Sequence, residues 1–133
     1  MALVGVSLLP SRSLTVDSHA APVWQSAKSA FAFNARRSKL ANGRPFLTAE
    51  PGGTPDGFRV DVDGNLWCGW GMGNERQDGV RVIDPNGTPI GFIALPERCA
   101  NVCFGGVKRN RLFMTASHSV YSLYVNTQGA PGG

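Results

Sequence analysis

No apolar run in this 133-residue chain approaches the roughly 20 residues a membrane-spanning helix requires, so no helical span is expected. Cysteine is scarce as well. Cys68, Cys99 and Cys103 are an odd number, two of them inside apolar runs where a free thiol behaves as a small hydrophobe. That usage argues against a disulfide scaffold and for a reducing compartment. Charge of one sign does not accumulate: 13 basic residues face 9 acidic ones, for a net charge of +4. Only Arg36 to Lys39 and Lys108 to Arg111 cluster, and the second cluster falls in a turn, so neither nucleic acid nor a membrane is an expected partner. With 17 glycines and 9 prolines, long helices are disfavoured and an all-β domain is the natural reading.

What the chain does contain is a repeated phrase. GFRVDVDGNLWCGW from Gly57 and NVCFGGVKRNRLFMTA from Asn101 each read as strand, turn and strand, and GVSLLPSRSLTVDS from Gly5 is a degraded copy. Aligning their second strands superimposes Leu14, Leu66 and Leu112 at steps of about 50 residues, the size of one propeller blade. Each phrase is followed by another apolar run (AFAFNAR, VRVIDPNG, VYSLYVN), and RPFLTA and PIGFIALP supply a further strand between copies. Four short antiparallel strands per unit make a blade. The sequence therefore predicts a single partial β-propeller domain of two to three blades over residues 1–133. Residues 1–38 form a divergent first blade, 39–130 the regular blades and 127–133 a Gly/Pro-rich tail expected to fray.

Within the best copy, Phe58, Val60 and Val62 alternate with Arg59, Asp61 and Asp63, the period of a half-buried strand, and Asp63-Gly64-Asn65 turns the chain. WGMGNERQD reads as a loop, and Asp84-Pro85-Asn86-Gly87 as a second turn. Several strings fail as motifs. Asp61, Asp63 and Asn65 imitate a calcium loop, but Leu66 and Met72 stand where an EF-hand needs Gly and Glu. Gly69, Gly71 and Gly73 lack dinucleotide spacing, Ser117-His118-Ser119 lacks the glycines of a nucleophile elbow, and Cys99, Cys103 and His118 match no zinc spacing. The opening MALVGVSLL reads as a strand rather than a signal peptide, because no positive residue precedes it. A cytoplasmic location follows, with a periplasmic or secreted one as the alternative.

One residue stands out, Asp56 in Gly53-Thr54-Pro55-Asp56-Gly57. It immediately precedes a blade's first strand, whose leading end in a propeller opens into the central channel, and a carboxylate there can hold a cation or simply cap a turn. Thr54 and Asn101 also precede first strands and are candidates to line the same mouth.

TPDGFRVDVDGNLWCGWGMG, DGVRVIDPNG, IALPERCANVCFGG and KRNRLFMTASHSVYSLYVNTQG together resemble the carboxyl-terminal part of the gluconolactonase / senescence-marker protein / luciferin-regenerating enzyme family, over about Lys39 to Ala130. The resemblance implies a six-bladed propeller that hydrolyses sugar lactones with one divalent cation at its mouth, calcium foremost, zinc or magnesium otherwise. It implies that Asp56 is the catalytic and metal-binding carboxylate, with Thr54 and Asn101 near the substrate. The family's other two ligands, a Glu and an Asn, fall upstream of Met1 and at Leu3–Val4, and its substrate-binding Arg and Asn belong to earlier blades. The chain is thus expected to be a partial copy with little activity alone. The alternatives are a non-catalytic binding module, or a half-propeller completed by a second chain through its open sheet edges.

Overall fold

The computed structural model describes residues 15–17, 27–34 and 39–131, with side chains from Arg44 onward. Among the described residues ten strands form three antiparallel meanders. The first sheet joins β1 (Thr15–Asp17), β2 (Ala27–Asn34) and β3 (Lys39–Thr48). The second joins β4 (Pro55–Val60), β5 (Leu66–Trp70), β6 (Gly79–Ile83) and β7 (Pro89–Ala94). The third joins β8 (Cys99–Gly105), β9 (Arg111–Ala116) and β10 (Val120–Tyr124). These are the strands the repeat predicts, in blade order, and no helix occurs among the described residues. Most of the degraded Gly5 to Ser18 copy, Leu3–Val4 and the opening apolar run lie outside the described residues.

Each interface between sheets has its own core. Phe46, Leu47 and Ala49, at the end of the first sheet, pack on Leu66, Cys68, Trp70 and Ile83 of the second. On the other side Trp67, Val80 and Val82 meet Val102, Leu112 and Met114 of the third sheet, with Phe104 edge-on to Trp67. The β5 sequence LWCGW is buried throughout because both faces of the second sheet are covered: Leu66, Cys68 and Trp70 point one way and Trp67 the other. At the rim of the first interface the Arg81 guanidinium lies over the Trp70 ring at 4.5 Å and the Phe92 ring at 5.7 Å, and pairs with Glu50.

The turns explain themselves chemically. Gly87 adopts φ +93°, which an L side chain rarely takes, and a Cβ there would lie 2.8 Å from the Phe46 carbonyl. In the same turn Asp84 Oδ1 accepts the N–H groups of Asn86 and Thr88 at 2.9 and 2.8 Å. The β4–β5 turn repeats the device: Asp61 Oδ1 accepts the N–H of Asp63 and Asn65, while Oδ2 accepts Asn65 Nδ2–H and Trp67 Nε1–H. The string that imitates a calcium loop is therefore a carboxylate satisfying its own turn.

One expectation is corrected here. The alternation through Val62 breaks, because β4 ends at Val60, Asp61 turns inward to those four donors, and Val62 is 49% exposed. The tail from Thr127 carries backbone hydrogen bonds. Val62 N–H donates to Gln128 O, Gly129 N–H to Arg109 O and Ala130 N–H to Val60 O, so the chain is tied to both neighbouring sheets as far as Ala130.

Candidate functional site

Asp56 lies inside β4 rather than before it. Pro55 pairs with Trp70 but Phe58 with Cys68, so Asp56 and Gly57 hold one residue more than the partner strand spans, a β-bulge. The neighbouring leading strand has the same irregularity: Cys99 pairs with Ala116 and Asn101 with Thr115. Two adjacent strands thus carry bulges at the same end, and there the backbones approach closely. A Cβ on Gly57 would meet Asn101 Oδ1 at 2.2 Å and the Ala100 carbonyl at 2.8 Å, so only glycine fits.

This contact brings Asn101 against Gly57, the residue after Asp56. The Asn101 carboxamide oxygen accepts the Val102 N–H at 2.9 Å, which fixes the side chain, and its backbone oxygen takes Thr115 Oγ1–H at 3.2 Å. The Asp56 side chain is exposed, and no donor among the described residues occupies its carboxylate. Thr54 plays a backbone part: its carbonyl accepts the Gly71 N–H at 3.2 Å and anchors the loop after β5. Asp78, buried at the far end of that loop, accepts Gly73 N–H through Oδ1 at 3.1 Å.

Beneath the bulge lie two thiols. Cys68 Sγ–H points at the Asp56 carbonyl at 3.7 Å. Cys99 is buried, and that burial, helped by the negative charge of Asp56 and opposed by a hydrogen bond to Asn101 O, pushes its thiol up to about 11. A thiol held protonated at neutral pH is neither a nucleophile nor a thiolate ligand. Cys99 is therefore packing, while Cys103 is exposed.

The sequence reading missed a hydrogen-bonded Glu–His pair. Glu97, on the crossing between the second and third sheets, accepts both the backbone N–H and Nδ1 of His118, at 2.8 and 3.0 Å, and the Tyr121 hydroxyl at 3.0 Å. Burial raises the Glu97 pKa, but the hydrogen bonds from His118, Tyr121 and Ser119 outweigh it and leave it lowered. The partners are 21 residues apart, too far for a local pattern to show.

No cluster of three or more metal-ligating side chains occurs among the described residues. Asp56 offers a free carboxylate, but the neighbouring Asn101 oxygen is already taken by Val102 N–H. The described residues therefore supply one hard-oxygen ligand and not a cage.

Comparison with known proteins gives the family. The family described as the SMP-30/Gluconolactonase/LRE-like region matches residues 11–118. Regucalcin of Danio rerio is 33% identical over 92 residues, covering 67% of this chain and 30% of that protein. Gluconolactonase of Zymomonas mobilis is 33% identical over 79 residues, 58% of this chain and 20% of that protein. Among solved structures, a provisionally assigned gluconolactonase superimposes with a TM-score of 0.68 at 32% identity, covering 81% of this chain and 37% of that one. The gluconolactonase of Xanthomonas campestris gives 0.61 at 31%, covering 75% and 33%. A luciferin-regenerating enzyme, at 22% identity and a TM-score of 0.64, shares the fold. The chain belongs to the SMP-30/gluconolactonase/LRE-like family, and its sheets are blades of that family's propeller. It spans about a third or less of the length of the curated relatives it matches.

Proposed function

We propose that this chain carries the Asp56 segment of a sugar-lactone hydrolase, gluconolactone being the model substrate. The observation that supports it is an exposed, unengaged carboxylate in a β-bulge at the leading end of a blade, in a chain of the gluconolactonase family. Asp56 accepts a proton from the water that attacks the lactone carbonyl carbon; the ring C–O bond then breaks and the new hydroxyl oxygen takes a proton back, giving the hydroxy acid. Asn101, locked by Val102 N–H and pressed against Gly57, and Thr54, two residues before Asp56, are the candidates to meet the substrate. A divalent cation, calcium foremost and otherwise zinc or magnesium, would polarise the carbonyl and acidify the water. Because one carboxylate does not make a cation cage, further ligands must come from outside the described residues, and no step is drawn through the metal. The test compares gluconolactone hydrolysis by the chain and by Asp56→Ala, with and without added calcium or zinc.

A second reading, ring completion by a second copy, is favoured by the third sheet. One of its faces buries Val102, Leu112 and Met114, while Arg111, Phe113 and Tyr124 occupy the other, Tyr124 being 72% exposed. Light scattering separates a dimer from a monomer.

A further inference from the structure

Glu97 and His118 form a unit that the lactone reading does not use. Glu97 receives two hydrogen bonds from His118 and one from Tyr121, with Ser119 also contributing, and its side chain is only 15% exposed, whereas that of His118 is 88% exposed. The charge is thus fixed and the imidazole presented. An anionic Glu97 takes Nδ1–H as the donor, which selects the tautomer whose Nε2 carries the lone pair, and solvent reaches that nitrogen. A carboxylate behind an imidazole raises the basicity of the opposite nitrogen and stabilises the positive charge that develops when it attacks. The flanking Ser117 and Ser119 are exposed and leave the ring uncovered.

We propose that His118, oriented by Glu97, is a second acyl-transfer centre that takes small activated esters. Nε2 attacks the ester carbonyl carbon, the C–O bond to the leaving group breaks, and the aryl oxide departs. The resulting acyl-imidazolium keeps Nδ1–H on Glu97. Water then attacks the acyl carbon, the N–C bond breaks, and the carboxylate leaves with the protons released to solvent and the neutral imidazole restored. The open, solvent-exposed ring favours small, unhindered substrates.

The experiment uses p-nitrophenyl acetate with the whole chain in the presence of EDTA, which separates this activity from cation-assisted lactone hydrolysis. His118→Ala should lower the rate about tenfold, below the usual yield of a well-enclosed base because the ring is solvated. His19→Ala, which removes the other histidine, should leave it unchanged. Glu97→Gln keeps an acceptor for Nδ1–H but loses the charge, so it should slow the reaction several-fold while circular dichroism stays that of the parent. Rapid quenching and peptide mass analysis should find the acetyl group on the peptide carrying His118. A His118→Ala rate equal to the parent's, or an adduct confined to other residues, would overturn the proposal; an unchanged Glu97→Gln rate would overturn the role given to Glu97.

Discussion

Replacing Asp61 by alanine removes the acceptor for four donors at once: the N–H groups of Asp63 and Asn65, Asn65 Nδ2–H and Trp67 Nε1–H. The consequences differ by donor. Asp63 is exposed and Asn65 half-buried, so water can replace the carboxylate there and each bond is worth about 0.5–1.5 kcal/mol net. Trp67 is buried between Phe104 and the Val80–Val82 face, so its indole N–H loses a partner water cannot easily supply, at about 1–3 kcal/mol. The turn also holds the C-terminal segment, because Val62 N–H bonds Gln128 O and Ala130 N–H bonds Val60 O. A total of about 3–5 kcal/mol is expected, a large fraction of a small domain's stability. Urea unfolding followed by tryptophan fluorescence should show a lower midpoint with an unchanged slope. In a double-mutant cycle with Trp67→Phe, which removes the indole donor, a coupling of about 1–2 kcal/mol should appear. A cost under about 0.5 kcal/mol for Asp61→Ala, or no coupling, would refute the assignment of this carboxylate as the turn's acceptor.

Gly57→Ala should cost about 1–3 kcal/mol, since the new methyl meets a backbone carbonyl as well as Asn101; adding Asn101→Ala should recover only part of the loss in the same urea assay, because the Ala100 carbonyl remains. Acid should loosen the structure below about pH 4: the pKa of Asp84 is lowered, chiefly by the Thr88 N–H, and that of Glu97 is lowered by hydrogen bonds that outweigh burial. Depressed carboxylates contribute stability above their unfolded pKa values of about 3.9 and 4.3 and lose it as pH falls through the folded ones, so thermal midpoints should drop over that window and not between pH 6 and 8. In thiol alkylation at pH 7.5, Cys103 should react first, while Cys99, buried and pushed up to about 11, should react only after unfolding; rapid labelling of Cys99 in the folded chain would contradict its placement under the bulge.

Much of the fold was legible because it is written in side chains. Leu66 and Leu112 recur at one blade's spacing, and Gly64 and Gly87 supply the positive φ their turns need. Asp61 was misread because alternation alone cannot tell an outward aspartate from one turned in upon its own turn, although the parallel pattern Asp84-Pro85-Asn86-Gly87-Thr88 was there to compare. The anchoring of the tail was not legible, because Gly129 and Ala130 are held by backbone bonds to Arg109 and Val60, which no side-chain pattern encodes. At the candidate site, Asp56 stood out by position, but the bulge and the Gly57–Asn101 approach depend on which strand lies beside which. The Glu97–His118 pair likewise joins a crossing segment to a distant turn.

The most direct test of the central claim is gluconolactone hydrolysis by the purified chain with calcium or zinc, measured beside Asp56→Ala and with the solution mass recorded by light scattering. The account predicts weak cation-stimulated turnover, abolished by Asp56→Ala, from whichever species carries the complete ligand set. Turnover that Asp56→Ala leaves intact, or none from a folded chain of any mass, would contradict it.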